Sequence, residues 1–331
     1  MFDIYGIGNA LVDVEIQVTA SDLEKMDIQK GVMTLIDKNK LEQLKATFLS
    51  QHVKRACGGS AANTIIGATQ LGSHCFFSAK VAEDDMGHFY AKDLVDHGVR
   101  TSLDSGDFPD GITGVCFVFV TPDADRTMCT YLGISSEFDE SRLDLESISR
   151  SKILYTEGYL TCTGPSLKAA LKAKEVAKLA GVKLALSLSD PSMLSFFYDG
   201  ISQLAENVDI LFCNKDEAMA YTKESTLSNV ISRFKAQFPL SVVTLGSDGA
   251  LIVSADDVYS ISGHQVKAVD TTGAGDSFAA AFLHAVSKGF SLEEAGRLAT
   301  FMSAQVVSTY GPRLHETELK TVKQFYAKEL A

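Results

Sequence analysis

The chain has 331 residues, 46% hydrophobic and 22% charged, enough to bury a large α/β core with or without a smaller appendage and too apolar for disorder. A formal net charge of −12 argues against a nucleic-acid binder, which needs a basic surface to meet phosphates, but leaves room for a small anionic ligand held by local amides, a metal ion or selected basic residues. Six cysteines without a C-x-x-C pair, no apolar run of membrane-span length and an N-terminus entering directly into an apolar strand predict a reduced, cytoplasmic setting without targeting segment, membrane or nucleic-acid partner.

The first element is an apolar strand over 2–8. Gly6-Ile-Gly8-Asn-Ala-Leu11 starts like a dinucleotide fingerprint but lacks the third glycine, and Val12 to Val18 alternates like a strand, so that reading is weak. Asp13 interrupts this apolar segment. Alternation alone turns it to solvent, whereas a functional Asp13 could accept two hydrogen bonds from a vicinal diol. Neither Leu11–Val18 nor Gly31–Ile36 is followed by a crossover helix. Helices are expected around 39–50, 60–71 and 86–97, with strands around 74–81 and 99–102. The helix after Cys57-Gly-Gly-Ser-Ala-Ala-Asn63 either starts plainly, with Ser60 as cap, or offers bare amides of Gly58 and Gly59 and the Asn63 side chain to a polar ligand.

Residues 112–132 read as a β-hairpin, Val115–Val120 and Thr127–Leu132 flanking a turn at Thr121–Arg126. The apolar face of Val115–Val120 serves either packing or dimerisation, so monomer and homodimer both stay open. From residue 150 onward, strands at 153–156, 183–187, 208–212 and 241–245 alternate with helices at 166–180, 192–204 and 215–221, the pattern of a parallel sheet with covering helices. Asn214 and Glu217, after the third of these strands, form a capping-box pair and share a face that could hold the waters of Mg2+. The turn containing Thr244, Gly246 and Gly249 could frame a nucleotide. Val258–Val269 alternates like short strands and leads into Asp270-Thr-Thr-Gly-Ala-Gly-Asp-Ser-Phe278, the opening of a helix through Gly289. The amides around Gly273, Ala274 and Gly275 can converge on a phosphate, and Asp276 either caps the helix or accepts a proton. No Walker-type G-x-x-x-x-G-K-[ST], no H-E-x-x-H and no G-x-S-x-G occurs.

The predicted fold class is α/β: a doubly wound, mostly parallel sheet with helices on both faces, spanning 1–10, 37–105 and 135–331, and a small β-sheet lid from 11–36 and 106–134.

In this order and spacing, Gly58-Gly-Ser-x-x-Asn63, Asn214-x-x-Glu217 and Asp270-Thr-Thr-Gly-Ala-Gly-Asp276 resemble the ribokinase, or PfkB, family of carbohydrate and nucleoside kinases. Gly8-Asn-Ala-Leu-Val-Asp13 and Leu188-Ser-Asp-Pro191 with Val208-Asp-Ile-Leu-Phe-Cys-Asn214 look most like its adenosine kinases, and Asp125-Arg-Thr-Met-Cys-Thr-Tyr-Leu-Gly133 like its bacterial members. The resemblance implies a ribokinase-like fold and phosphorylation of a nucleoside or sugar by ATP with Mg2+. It makes Asp276 the base and Gly273, Ala274 and Gly275 the anion hole, with Arg126 reaching the transferred phosphate. Asp13 would hold the ribose hydroxyls, supported by Asn9, Gly58, Gly59 and Asn63. Asn214 and Glu217 would order the Mg2+ waters. Asp270 and Thr272, with the loop near Gly311, would form a K+ site. Tyr159-Leu160 stands where adenosine kinases often carry an aromatic pair, which puts Leu160 at the base. The expected reaction is 5'-phosphorylation of a ribonucleoside such as adenosine; the rivals are a free-sugar kinase sharing every catalytic residue and a non-catalytic nucleoside sensor.

Overall fold

A computed structural model describes residues 1–48, 54–123 and 126–329. The expected helix over 39–50 and the expected turn at 121–126 each run onto residues outside that set, at 49–50 and 124–125. Among the described residues no helix is long and apolar enough to cross a membrane.

The strands, in chain order, are β1 (Phe2–Ile7), β2 (Leu11–Gln17), β3 (Met33–Leu35), β4 (Lys54–Gly58), β5 (Cys75–Ser78), β6 (Arg100–Thr101), β7 (Gly114–Val120), β8 (Arg126–Tyr131), β9 (Ser151–Glu157), β10 (Lys183–Ser187), β11 (Ile210–Asn214), β12 (Leu240–Thr244), β13 (Gly249–Ser254) and β14 (Val258–Ser262). Nine make a sheet ordered β14-β13-β12-β11-β10-β9-β1-β5-β6, parallel from β12 through β6 and antiparallel at the β13–β14 edge. The chain leaves β1 towards β5 and β6, then returns to lay β9 along the other side of β1. The order therefore reverses around β1, and the crevice beyond the carboxyl ends of β1 and β9 is where open α/β sheets bind ligands.

Strand alternation divides the core between the two faces. Ile4, Ile153 and Phe212 join the helices Ser60–Gln70, Ala274–Ser287 and Leu292–Val307 on one side, while Tyr5, Leu154 and Leu211 join Gly164–Leu179, Tyr198–Ala205 and Leu227–Gln237 on the other. The expected doubly wound α/β core is thus present.

A second sheet, ordered β3-β8-β7-β2-β4, combines the two expected lid segments with one more strand. β4 pairs antiparallel with β2, although the sequence reading left it within 37–105. Its glycine-rich end hides strand periodicity. A six-residue helix, Ala20–Lys25, follows β2, where no helix was expected; Thr19 and Asp22 form its capping box. All seven residues of β7 are buried within the chain, so its apolar face is used in packing here. The helix expected over 192–204 breaks at Phe197 into Pro191–Phe196 and Tyr198–Ala205. The alternation expected through Val269 ends at Ser262, and residues 263–273 form an irregular approach to the last motif.

The helices Ser60–Gln70 and Ala274–Ser287 pack closely because Gly67 faces Ala280: a Cβ on Gly67 would lie 2.9 Å from that of Ala280. Substituting Gly67→Val should separate the two helices at a cost of about 1–3 kcal/mol, the usual penalty of overpacking. A lowered urea midpoint with unchanged slope is the expected result, and it should be accompanied by weaker function, since both helices carry site residues at their N-termini.

Candidate active site

Two N-termini meet at the crevice. Gly273 adopts the left-handed region, with φ 73°, as N-cap of Ala274–Ser287. It must be glycine, because a Cβ there would stand 2.4 Å from the Pro312 carbonyl oxygen. The Ala274 N–H already donates to the Thr271 carbonyl at 3.2 Å. Of the amides expected to face a phosphate, that one is therefore spent in the turn. The N–H groups of Gly275 and Asp276, in the helix's first turn, have no carbonyl within the helix to receive them and lie at the positive end of its dipole.

Asp276 is held from the neighbouring helix. Ser60 Oγ donates to its Oδ1 at 2.6 Å and Asn63 Nδ2 to its Oδ2 at 3.1 Å. Ser60 is thus not the cap expected from sequence; Gly59, at φ 92°, occupies the N-cap position without a side-chain bond. Burial pushes the Asp276 carboxyl above the ordinary carboxylate range, against the pull of these two hydrogen bonds and the charge of Arg313. Asp276 does more than cap a helix.

Arg313, which the sequence reading missed, completes this arrangement from the loop before the last helix. Its Nε donates to Asn63 Oδ1 at 3.2 Å and its Nη1 to Asp93 Oδ2 at 2.9 Å. With Asn63 Oδ1 committed to a donor, its Nδ2 faces Asp276. A lone arginine after Gly311-Pro312 has no spacing pattern that would single it out.

Glu157, at the end of β9, was also missed. One oxygen accepts from Asn9 N at 2.8 Å and Asn9 Nδ2 at 3.2 Å, and the other from Ala61 N at 2.7 Å. It fastens the end of β1 to the start of the Ser60 helix. Gly8 serves the same packing, since a Cβ there would meet Ala61 and Glu157, not a dinucleotide. Burial, with the charge of Asp276 adding, raises Glu157 to about 7 despite its three hydrogen bonds.

Asp13 pairs in register with Ala56, and a side chain on nearby Gly58 would overlap its carboxylate. That steric fact, rather than exposed amides, explains Gly58. No hydrogen bond from a described residue reaches the Asp13 carboxylate, and burial raises it to about 7, with Arg313 and Arg126 opposing and Asp276 adding. A carboxylate with its acceptor capacity unused faces a cavity of about 340 Å³. Asn9, Asn63, Glu157, Tyr159 and Asp276 share this cavity, under Leu11, Met33, Leu35 and Met128 from the second sheet and Leu132 just after β8. Leu160 is elsewhere: it is fully buried in the hydrophobic core and its neighbour Tyr159 lines the cavity instead, because the 3-10 turn Gly158–Cys162 turns adjacent side chains apart.

A second cavity, of about 380 Å³, includes Thr244, Gly246, Gly249, Ala274 and Gly275. Thr271 borders both cavities, so the turn at 271–276 is the partition between them. Asn214 and Glu217 make the capping box anticipated from sequence, Asn214 Nδ2 donating to Glu217 Oε1 at 2.6 Å and Glu217 N to Asn214 Oδ1 at 2.8 Å. Burial, then the neighbouring charges of Asp190, Asp216 and Asp276, raise Glu217 to about 7. Such a field favours a divalent cation. No group of three or more metal-ligating side chains occurs among the described residues.

Asp270, Thr272 and Gly311 do come together. Thr272 N donates to Asp270 Oδ1 at 2.8 Å, Gly311 N to Oδ2 at 2.7 Å, and the Arg126 guanidinium pairs with Oδ2.

The family profile described as pfkB family carbohydrate kinase matches residues 32–318. The chain is 31% identical over 251 residues to a protein of Arabidopsis thaliana named "Probable fructokinase-6, chloroplastic", an alignment covering 72% of this chain and 64% of that relative's length. It is 27% identical over 305 residues to a 5-dehydro-2-deoxygluconokinase of Bacillus licheniformis, covering 88% and 93% of the two chains. The solved structure of the adenosine kinase from Sinorhizobium meliloti matches with a TM-score of 0.91 at 31% identity, covering 98% of this chain and 99% of that one. Fold and site define a ribokinase-like phosphotransferase acting on a sugar or nucleoside hydroxyl. The chain belongs to the pfkB family of carbohydrate kinases.

Because Arg313 both orients Asn63 and lowers the carboxyl of Asp276, Arg313→Met should shift the acid limb of the kcat/KM profile to higher pH. Arg313→Lys, which restores the charge without the fork, should return part of that shift. Breaking the buried pair with Asp93 should also cost about 3–5 kcal/mol in chemical denaturation.

Proposed function

We propose that this protein transfers the γ-phosphate of ATP to the 5'-hydroxyl of a ribonucleoside, with adenosine the acceptor that fits best. The observation that carries the reading is the turn at 271–276 standing between two cavities, with Asp276 on one side and Gly275 on the other. ATP occupies the cavity of Gly246 and Gly249. The nucleoside lies in the other, its ribose diol donating to the unused carboxylate of Asp13 and its primary hydroxyl directed at Asp276.

As the hydroxyl oxygen attacks, its proton passes to Asp276, the new O–P bond forms and the bond to the β-phosphate oxygen breaks, releasing ADP. Raised basicity suits Asp276 to this task. The N–H groups of Gly275 and Asp276 meet charge on the transferred group, and Arg126 adds a cation at the same turn. Glu217 and Asn214 would hold Mg2+, which would supply charge neutralisation to the triphosphate.

A nucleoside is favoured over a free sugar by the roof of Leu11, Met33, Leu35, Met128 and Leu132 with Tyr159 nearby, an apolar surface matched to a base. Fructose or a related sugar is the second reading, which the similarity to the Arabidopsis protein supports. Incubation with MgATP and a panel of adenosine, other ribonucleosides, ribose and fructose should give AMP from adenosine; phosphorylation of a free sugar but not adenosine overturns the assignment. Asp276→Asn should lower kcat by about 10²–10⁴-fold, the usual contribution of a positioned base, while adenosine binding by calorimetry is retained. Near-normal turnover in that variant removes Asp276 from its role.

A further inference from the structure

We infer that the Arg126 guanidinium takes the place of a monovalent cation beside the anion-binding turn, so that phosphoryl transfer here proceeds without K+ activation. The inference rests on the kinase reading above but concerns a different set of atoms. Asp270 is almost fully buried, at 1% exposure, and both its oxygens are engaged. Thr272 and Gly311 turn N–H groups towards it, and the third partner is the Arg126 cation. A potassium ion is bound by oxygen and is repelled by each of these partners.

A cavity of about 280 Å³ behind the pair is bordered by Arg55, Arg126 and Arg313 together with Asp13, Glu15, Asp93 and Asp270, and Arg313 is paired with Asp93, so this space already carries its own countercharges. The positive charge required near Asp270 is instead covalently part of the protein.

Its place in the chain gives this charge a property that a bound ion lacks. Arg126 is the first residue of β8, in the sheet that roofs the acceptor cavity, whereas Asp270 sits in the core loop leading to the helix of Asp276. The ion pair therefore ties the roof to the anion-binding turn. A diffusible cation would supply charge whatever the position of the roof; Arg126 supplies it only when β8 is seated.

The test compares KCl with N-methyl-D-glucamine chloride at constant ionic strength, using the full chain. In the wild type, ADP formation with adenosine and MgATP should change by less than about twofold between the two salts, because general screening is held fixed. Its thermal unfolding, measured without substrates, should coincide in both. Arg126→Ala should lose about tenfold or more in turnover in N-methyl-D-glucamine, as a charge-assisted partner is removed, and KCl should restore part of it and raise its melting temperature. Activation of the wild type several-fold by KCl, or a rise in its melting temperature specific to K+, overturns the inference. So does an Arg126→Ala protein indifferent to K+ in both measurements. If no acceptor is phosphorylated in either salt, the kinase reading fails, while the two melting comparisons still decide the cation question.

Discussion

Ser60 and Asn63 hold the carboxylate of Asp276 across the contact between two helices, and most of the site is arranged around that grip. A buried carboxylate is costly, and here the cost is met from several directions: two side-chain donors, the positive end of the Ala274–Ser287 helix and the charge of Arg313. Apart from its own helix, these partners lie far from Asp276 in sequence. The helices can supply them only because Gly67 lets the helix backbones approach, and because Glu157 fixes where the Ser60 helix begins. Burial still wins, leaving a carboxyl more basic than usual at the turn between the two cavities.

The same crowding explains the distribution of charge. Asp13, Glu157 and Glu217 are each raised by burial and further by Asp276, so carboxyl groups are concentrated around the crevice. Helix N-termini offer partial charges only. Full positive charges come from two residues carried in from outside the central strands: Arg126 on the second sheet and Arg313 on the loop before the C-terminal helix. Around Glu217 the neighbouring charges are those of Asp190, Asp216 and Asp276, with no arginine among them.

What could be read from the sequence was whatever depends on local rules. Strand and helix alternation after residue 150 emerged because each element has its own period, and the Asn214–Glu217 capping box because both partners lie within one turn. The Asp270–Asp276 run was legible because glycines with special backbone demands cluster in it. Long-range contacts leave no such trace. Glu157 is one acid at the end of an ordinary strand, and Arg313 one base in a loop, until folding brings them 148 and 250 residues along the chain to Asn9 and Asn63. Leu160 went astray for a related reason: Tyr159 and Leu160 are indistinguishable as neighbours in sequence, and only the turn at 158–162 decides which faces the cavity.

The sheet boundary shows why β4 matters beyond topology. β4 belongs to the roofing sheet yet ends at Gly58, and after the single residue Gly59 the chain enters the helix carrying Ser60 and Asn63. On the other strand of the pair, β2 begins at Leu11, just after Asn9, which is tied to Glu157. Two of the connections between roof and core therefore pass directly beside residues that line the cavity under the second sheet. A change in the roof's position must be absorbed near Asn9 and Gly59, where a Cβ on Gly59 would already lie 2.2 Å from the Asn9 carbonyl oxygen. With so little slack, seating of β2 and β4 sets Asp13 on one side of the acceptor and Ser60 and Asn63 on the other. The ion pair of Arg126 with Asp270 closes the circuit from β8 to the helix of Asp276. The settings of Asp13 and of Asp276 are thus two consequences of one mechanical arrangement.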